Sequence, residues 1–413
     1  MRILQIIAGN LTGGAARGAY WLHCALRGLG VYSKILTNSE ITFGDKNITT
    51  TLTSKKEKIK NMFRCELDIL AKRVYKNVDN TIFSTGTFGF DFTRTGVYKK
   101  SDIIHLHWIC GGLVNIKHLA KIDKPIIWTM RDMWPFTGGC HYAMECENYK
   151  TGCGHCRQLN SRMKYDLSRF ILNRKLKYLP KNMKIVGISH WLSKRAKESF
   201  LFKDFDVRTI YNNVDTNEFF RIDKKIAREI LGISTEKTVI LTVAQFLGDF
   251  YKGFDKFIEA VKSLNRSKYY LCFVGDLDRS LAESLGFEYK DIGYLYDNVS
   301  LRLVYSAADV FVAPSLMDAF GKTLAESMAC GTPVACFDAA GPKEIVDHTV
   351  NGYKAKPFDA SDLAYGIEWI IENPEYEELS KNAREKVARE FDSKIIAKKY
   401  IELYKEVLEN KKK

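Results

Sequence analysis

The 413-residue sequence has no apolar run approaching the ~18 residues that a bilayer-spanning helix needs, so a helical membrane span is not expected. A secretory leader is not expected either. The opening Met1-Arg2-Ile3-Leu4-Gln5-Ile6-Ile7-Ala8-Gly9 is too short for a leader's apolar core and carries no cleavage pattern. It reads as a buried strand running into a glycine loop, and the expected location is cytoplasmic. Internal repeats and low-complexity tracts are absent, so the chain is neither a solenoid nor a disordered tail. Acidic residues are scarce in one half only: positions 1–200 hold 33 Lys and Arg against 14 Asp and Glu, and the remainder holds 30 against 35.

What is present describes an ordinary globular enzyme-sized chain, 46% hydrophobic and 27% charged. Its length exceeds what one core usually supports, so two domains are expected. A reducing compartment keeps the ten cysteines as thiols or metal ligands. The basic first half admits an anionic membrane surface, a phosphate-bearing acceptor or nucleic acid as partner, with a merely solvated surface as the alternative.

Short β-branched runs alternate with helical patterns, the pattern of parallel sheets covered by helices. Strands are predicted at 3–8, 33–36, 103–106, 126–130 and 184–188, then at 239–244, 270–274, 310–314 and 333–337. Two such series imply α/β architecture with two doubly wound, Rossmann-like domains and a ligand cleft between them. The hinge is expected within 203–215. The domains are then 1–205, 206–390, and a helix at 391–413 that presents Ile396, Tyr400, Leu403, Tyr404 and Val407 on one face and packs back on the first domain.

The stretch 310–333 carries the most chemistry. A strand ends near Pro314, a loop holds Asp318, and a helix begins near Gly321 and stops at Gly331. A helix N-terminus with a glycine beside it suits a phosphate. Glu326, one turn inside, suits the vicinal diol of a ribose, and Asp318 suits sugar hydroxyls. Taken singly, Asp318 is as well explained as a cap and Glu326 as helix decoration. Gly321-Lys322-Thr323 imitates the tail of a P-loop, but Leu316 stands where that motif needs glycine.

This stretch resembles the acid–seven residues–acid signature of the retaining family-four glycosyltransferases, whose fold is GT-B. Those enzymes usually carry Glu at both ends, and here Asp318 replaces the first. Gly293-Tyr294-Leu295, the 305–309 and 341–346 segments, and Asn351-Gly352-Tyr353 agree in order. The resemblance implies that Asp318 contacts the donor sugar and Glu326 the ribose of a nucleoside-diphosphate sugar (UDP- or GDP-linked). It places Phe320, Gly321, Lys322 and Thr323 beside the donor, and Lys252 on its phosphates. Gln245 stands where the family has an Arg, leaving Lys322 or Arg17 to substitute.

In the first half, Gly13-Gly14 follows the first strand without the glycine spacing of a dinucleotide fingerprint. In the resembled family this loop reaches the donor phosphates. Many relatives carry His-Asp where this chain has Arg131-Asp132. Arginine is a poor base because it stays protonated, so a front-face reaction with the departing phosphate as proton acceptor is implied, with Asp132 orienting the acceptor. His105 and His107 are further candidates. Cys140, Cys146, Cys153 and Cys156, the last two as Cys-x-x-Cys, suggest a structural zinc site, against free thiols or a redox pair. A similar cysteine pattern occurs in a subgroup of bacterial polysaccharide glycosyltransferases, where it would stiffen a loop flanking the acceptor. Two basic segments, 54–76 and 157–184, mix Lys and Arg with apolar residues at helical spacing, as an interfacial helix or a sheet-packing helix would.

The expected function is therefore retaining sugar transfer to a glycan or lipid-linked glycan in capsule, exopolysaccharide or O-antigen assembly. No catalytic divalent metal and no nucleic acid are expected, and the location is cytoplasmic or peripheral at the inner face of the plasma membrane. The alternatives are another GT-B sugar-nucleotide enzyme, such as an epimerase or phosphorylase, and a zinc-dependent nucleic-acid-binding protein.

Overall fold

A computed structural model describes residues 1–41, 44–76, 78, 81–233, 236–246 and 249–412. The chain forms two compact units, Met1–Tyr211 with Ile396–Lys413, and Asn212–Ile395.

Seven parallel strands form the sheet of the first unit: β1 (Arg2–Ile6), β2 (Tyr32–Thr37), β3 (Ile48–Thr50), β4 (Ile103–Leu106), β5 (Ile126–Met130), β6 (Lys184–Gly187) and β7 (Asp206–Thr209). Their order is β3-β2-β1-β4-β5-β6-β7. Every residue of β4 and β5 is buried, as expected where helices cover both faces of a parallel sheet. The stretch 203–215, expected as a hinge, contains β7. The helix Ser393–Lys412 supplies Ile396, Tyr400, Leu403, Tyr404 and Val407 to the core that also holds Ile3, Leu22 and Ile103.

In the second unit six parallel strands follow: β8 (Thr238–Phe246), β9 (Tyr269–Asp276), β10 (Glu288–Gly293), β11 (Val310–Ala313), β12 (Val334–Phe337) and β13 (Gly352–Ala355). Their order is β10-β9-β8-β11-β12-β13. Phe257, Leu271, Phe273 and Val312 are buried in its core, with the helix Ala360–Ile371 contributing Leu363, Ile367 and Ile370.

In each sheet the strand order reverses once, between β1 and β4 in the first and between β8 and β11 in the second. Ligands of open α/β sheets bind beyond the carboxyl ends of strands at such reversals. The loop with Gly13 follows β1, Lys252 follows β8, and Asp318 follows β11.

Candidate active site

The loops after β8 and β11 are zipped together by backbone. Leu316 N and Met317 N both donate to Tyr251 O, at 2.9 and 3.3 Å. Gly253 makes this approach possible. Its φ is +67°, and a Cβ there would lie 2.0 Å from Pro314 O. The next residue back, Lys252, is thereby delivered to Asp318, with Nζ 2.8 Å from Oδ2. The other carboxylate oxygen of Asp318 accepts the backbone N–H groups of Phe320 at 3.1 Å and Gly321 at 3.0 Å. Burial opposes the Asp318 charge, but the Lys252 cation and these three hydrogen bonds outweigh it and hold the carboxyl below its ordinary range. Gly341 closes the loop from beneath, its N–H donating to Asp318 O at 3.0 Å.

Gly321, at φ +95°, lies in the left-handed region that glycine adopts without strain, and it caps the helix Lys322–Ala329. Lys252, Ser315 and Thr323 line one pocket with the ends of β8 and β11. An ammonium group, two hydroxyls and the positive end of a helix dipole thus meet at the strand reversal, a setting suited to an anion. Glu326 lies one turn along the helix and is 2% exposed. Tyr305 Oη donates to its Oε2 at 3.0 Å, and Lys322 Nζ is 3.5 Å from its Oε1. Thr332 fixes Tyr305 in turn by donating to its carbonyl at 2.7 Å. The Phe320 ring is buried against Phe391, with centroids 5.3 Å apart, so only the backbone of Phe320 enters the Asp318 loop. Gln245 is the next-to-last residue of β8, and its side chain lies outside the described residues.

In the first unit, Gly13 caps the helix Gly14–Gly28, and a Cβ at Gly13 or Gly14 would meet nothing within 4 Å. The backbone there is open to a ligand. Arg17 is turned back on its own loop, with Nε donating to Thr12 O at 2.9 Å.

Asp132, just beyond β5, sits in a network that the sequence did not reveal. Its Oδ2 lies 2.6 Å from His141 Nδ1 and accepts from Trp108 Nε1 at 2.9 Å, while Oδ1 accepts from Trp134 N at 2.9 Å. His141 Nε2 lies 3.0 Å from Ser84 Oγ. His141 follows Cys140 directly and stands nine residues after Asp132, so the signal was overshadowed by the cysteines. Below Asp132 the turn 134–137 rests on Lys175, buried over the Trp134 ring at 3.7 Å and donating to Thr137 O at 2.9 Å. Burial lowers its pKa to about 8.

The other basic candidates belong to the core. His105 lies 2.7 Å from both Tyr404 Oη and Thr129 Oγ1, and His107 Nε2 lies 2.8 Å from Gln5 Oε1. Burial lowers both pKa values well below the usual histidine range, so both rings are neutral. Arg131 Nη2 lies 3.2 Å from His107 Nδ1, and burial lowers its pKa to about 10.

Cys140, Cys146, Cys153 and Cys156 line a single small pocket with Phe83 and Tyr149. The tetrahedral zinc site expected from their spacing finds no support in the side-chain placement. Among the described residues, no group of three or more His, Cys, Asp or Glu side chains is placed to hold a metal ion. Burial favours protonated thiols, raising the pKa of Cys153 to about 12 and of Cys156 to about 11. Hydrogen bonds fix the loop. Cys156 N donates to Asp166 Oδ2 at 2.8 Å, Gly154 N to Ser168 Oγ at 3.0 Å, and Arg169 Nη1 to Gly152 O at 2.8 Å.

Among the described residues no helix is long and apolar enough to cross a membrane. Residues 223–386 match the family model described as glycosyl transferases group 1. The chain is 27% identical over 327 residues to an uncharacterized glycosyltransferase of Methanocaldococcus jannaschii, covering 75% of this chain and 76% of that one. It is 26% identical over 266 residues to a putative colanic acid biosynthesis glycosyl transferase of Escherichia coli, covering 62% and 63%. Among solved structures it resembles the Anabaena protein HepE in complex with UDP-glucose, with a TM-score of 0.65 at 17% identity over 98% of this chain and 100% of that one. The family match spans β8 through β13 and takes in Lys252, Asp318 and Glu326, so these residues lie in the part of the chain that is similar to group 1 glycosyl transferases, and the fold is GT-B.

Proposed function

We propose that this glycosyltransferase moves a sugar, with retention of anomeric configuration, from a nucleoside-diphosphate sugar to a glycan or lipid-linked glycan during assembly of a cell-surface polysaccharide. The observation that carries the reading is the Lys252–Asp318 pair at the strand reversal, beside the N-terminus of the 322–329 helix. The likeness to a UDP-glucose complex and to a colanic acid transferase supports the donor class and the pathway class.

In this reading the second unit holds the donor. Glu326, braced by Tyr305, takes the ribose hydroxyls. Lys252 and Thr323 face the diphosphate, and Lys322 adds a second cation. Asp318 accepts from a sugar hydroxyl. Breaking the bond between the anomeric carbon and the phosphate oxygen leaves negative charge on the diphosphate, which Lys252 and the helix dipole stabilise without reorganising. The acceptor oxygen bonds to the anomeric carbon on the face the phosphate leaves, and its proton passes to the departing phosphate oxygen. Asp132, held by Trp108 and His141, orients the acceptor hydroxyl. No step uses a divalent metal.

Calorimetric titration of UDP and GDP sugars, followed by assignment of the product's anomeric configuration by NMR, tests the reading. The expected result is binding that Glu326→Ala abolishes and an α-linked product from an α-linked donor. A wild-type chain that binds neither nucleotide, or a product with inverted configuration, overturns it.

A further inference from the structure

The helix Lys55–Leu70 has its polarity reversed relative to an ordinary surface helix. Its protein-facing side is polar. Asn38 Nδ2 donates to Asn61 Oδ1 at 3.2 Å, Cys65 Sγ donates to Gly111 O at 3.1 Å, and buried Asp68 accepts from the Thr85 hydroxyl. Its outward side carries Ile59, Met62, Phe63, Leu67 and Leu70, all between 38 and 58% exposed. Ile59, Phe63, Leu67 and Leu70 follow one another at three- and four-residue steps, and Met62 lies three residues beyond Ile59, so they share a broad face. Val74, 82% exposed, extends the stripe into the turn that follows. Side chains of this size are not normally left in water as a continuous stripe unless something covers them.

Charge frames the stripe. Lys55, Lys56, Lys58 and Lys60 lie at its amino end, and Lys72 and Arg73 at the other. Lys58 pairs with Glu40 at 2.5 Å and Lys60 with Glu57 at 2.7 Å, but all four groups reach solvent, where such pairs are weak and screened. Glu66 is the one acid on the outward face. Beyond the stripe, Tyr75 Oη accepts from Leu167 N at 3.0 Å, which sets a second exposed apolar group, Met163, Tyr165 and Phe170, beside it together with Arg162 and Lys164.

We propose that the 55–70 helix is an interfacial anchor that seats the first unit on an anionic lipid surface. Its apolar side chains enter the boundary between headgroups and acyl chains, and the flanking lysines and arginines meet the headgroups. Charge selects this occupant. Residues 1–200 carry 33 basic side chains against 14 acidic ones, and a second copy of the chain would bring like-charged rims together. The inference stands independently of the sugar-transfer reading.

Flotation of the full chain with vesicles tests it, comparing phosphatidylcholine alone with phosphatidylcholine plus phosphatidylglycerol. The chain is expected to float with the anionic vesicles, to be released by high salt, and to stay behind with the neutral ones. The double substitution Met62→Glu, Phe63→Glu is expected to weaken vesicle binding roughly tenfold or more, with an unchanged melting temperature and nucleotide affinity. A Phe63→Trp variant is expected to shift its fluorescence to the blue only on anionic vesicles. Equal flotation of the wild type and the double variant overturns the proposal, as does a wild type that binds no vesicle. A solution dimer that the double variant splits assigns the stripe to a second copy and overturns it equally.

Discussion

Lys252 Nζ stands 2.8 Å from Asp318 Oδ2, joining residues 66 positions apart. The pair explains how an aspartate functions where the resembled family usually has glutamate. With a shorter side chain, Asp318 keeps its carboxylate over its own loop, where one oxygen binds two backbone N–H groups and the other binds the lysine. If Lys252 faces the leaving group as proposed, Lys252→Ala is expected to lower kcat/KM by roughly a hundredfold. Steady-state kinetics with the preferred donor measure this. A loss smaller than threefold (about 0.6 kcal/mol) would separate Lys252 from the diphosphate.

The same pair sets an acid limit on the second unit. The Asp318 carboxyl is depressed from 3.8 in the folded chain, so its stabilising contribution is complete above that value and is lost as pH falls through the lower folded pKa. Asp318→Asn is therefore expected to lose stability at neutral pH and to differ less from the wild type in strong acid. Urea unfolding at several pH values measures the convergence.

Asp132 Oδ2 and His141 Nδ1 are 2.6 Å apart, and in the proposed reading the two side chains serve the acceptor together. Asp132→Ala is expected to lower kcat by roughly a hundredfold with little change in donor affinity. His141→Ala frees the carboxylate that His141 positions, so it is expected to lower kcat by about tenfold and to alter the pH profile while leaving donor KM unchanged. A purely structural histidine would lower the melting temperature without reshaping that profile.

Lys175 gives a test of sign at alkaline pH. Its folded pKa of about 8 lies below the ordinary 10.5, so the unfolded chain binds the extra proton between these values. Stability contributed at this site therefore rises as pH increases from about 8 to 10.5, by an amount on the order of 3 kcal/mol. The Lys175→Met variant is expected to lack this slope, which parallel denaturation curves for the two chains would show.

Gly253→Ala is expected to destabilise the second unit by about 3 kcal/mol or more. It adds a Cβ 2.0 Å from Pro314 O at a left-handed φ. Calorimetry of the variant checks this, and a neutral effect would mean that the two loops separate readily.

The central strands were legible in the sequence because burial on both faces leaves an unbroken apolar run, as in Ile126-Ile127-Trp128-Thr129-Met130. The four strands that went unread, β3, β7, β10 and β13, are the four sheet edges. In β3, β7 and β10 the residues are mostly only partly covered, as in Glu288–Gly293, which has no fully buried position, and β13 is a buried but short Gly-Tyr-Lys-Ala, so none leaves such a run. The acid pair and Lys252 were readable as a motif in order along the chain. The bond from His141 to Asp132 was not, because it depends on how the loop after β5 folds back. The cysteine spacing suggested a metal, but ligand geometry is a property of the folded loop. The 157–184 and 54–76 segments showed helical spacing, yet spacing alone cannot say which face of a helix meets the protein.

The last helix has a consequence for how the chain is made. Tyr400 and Tyr404 complete the packing around Ile3, Leu22 and Ile103, yet a ribosome reaches them only after the entire second unit has emerged. The nascent first unit must wait with part of its interior bare. Removing residues from 396 onward should therefore harm the amino-terminal half of the protein more than the half adjoining the cut.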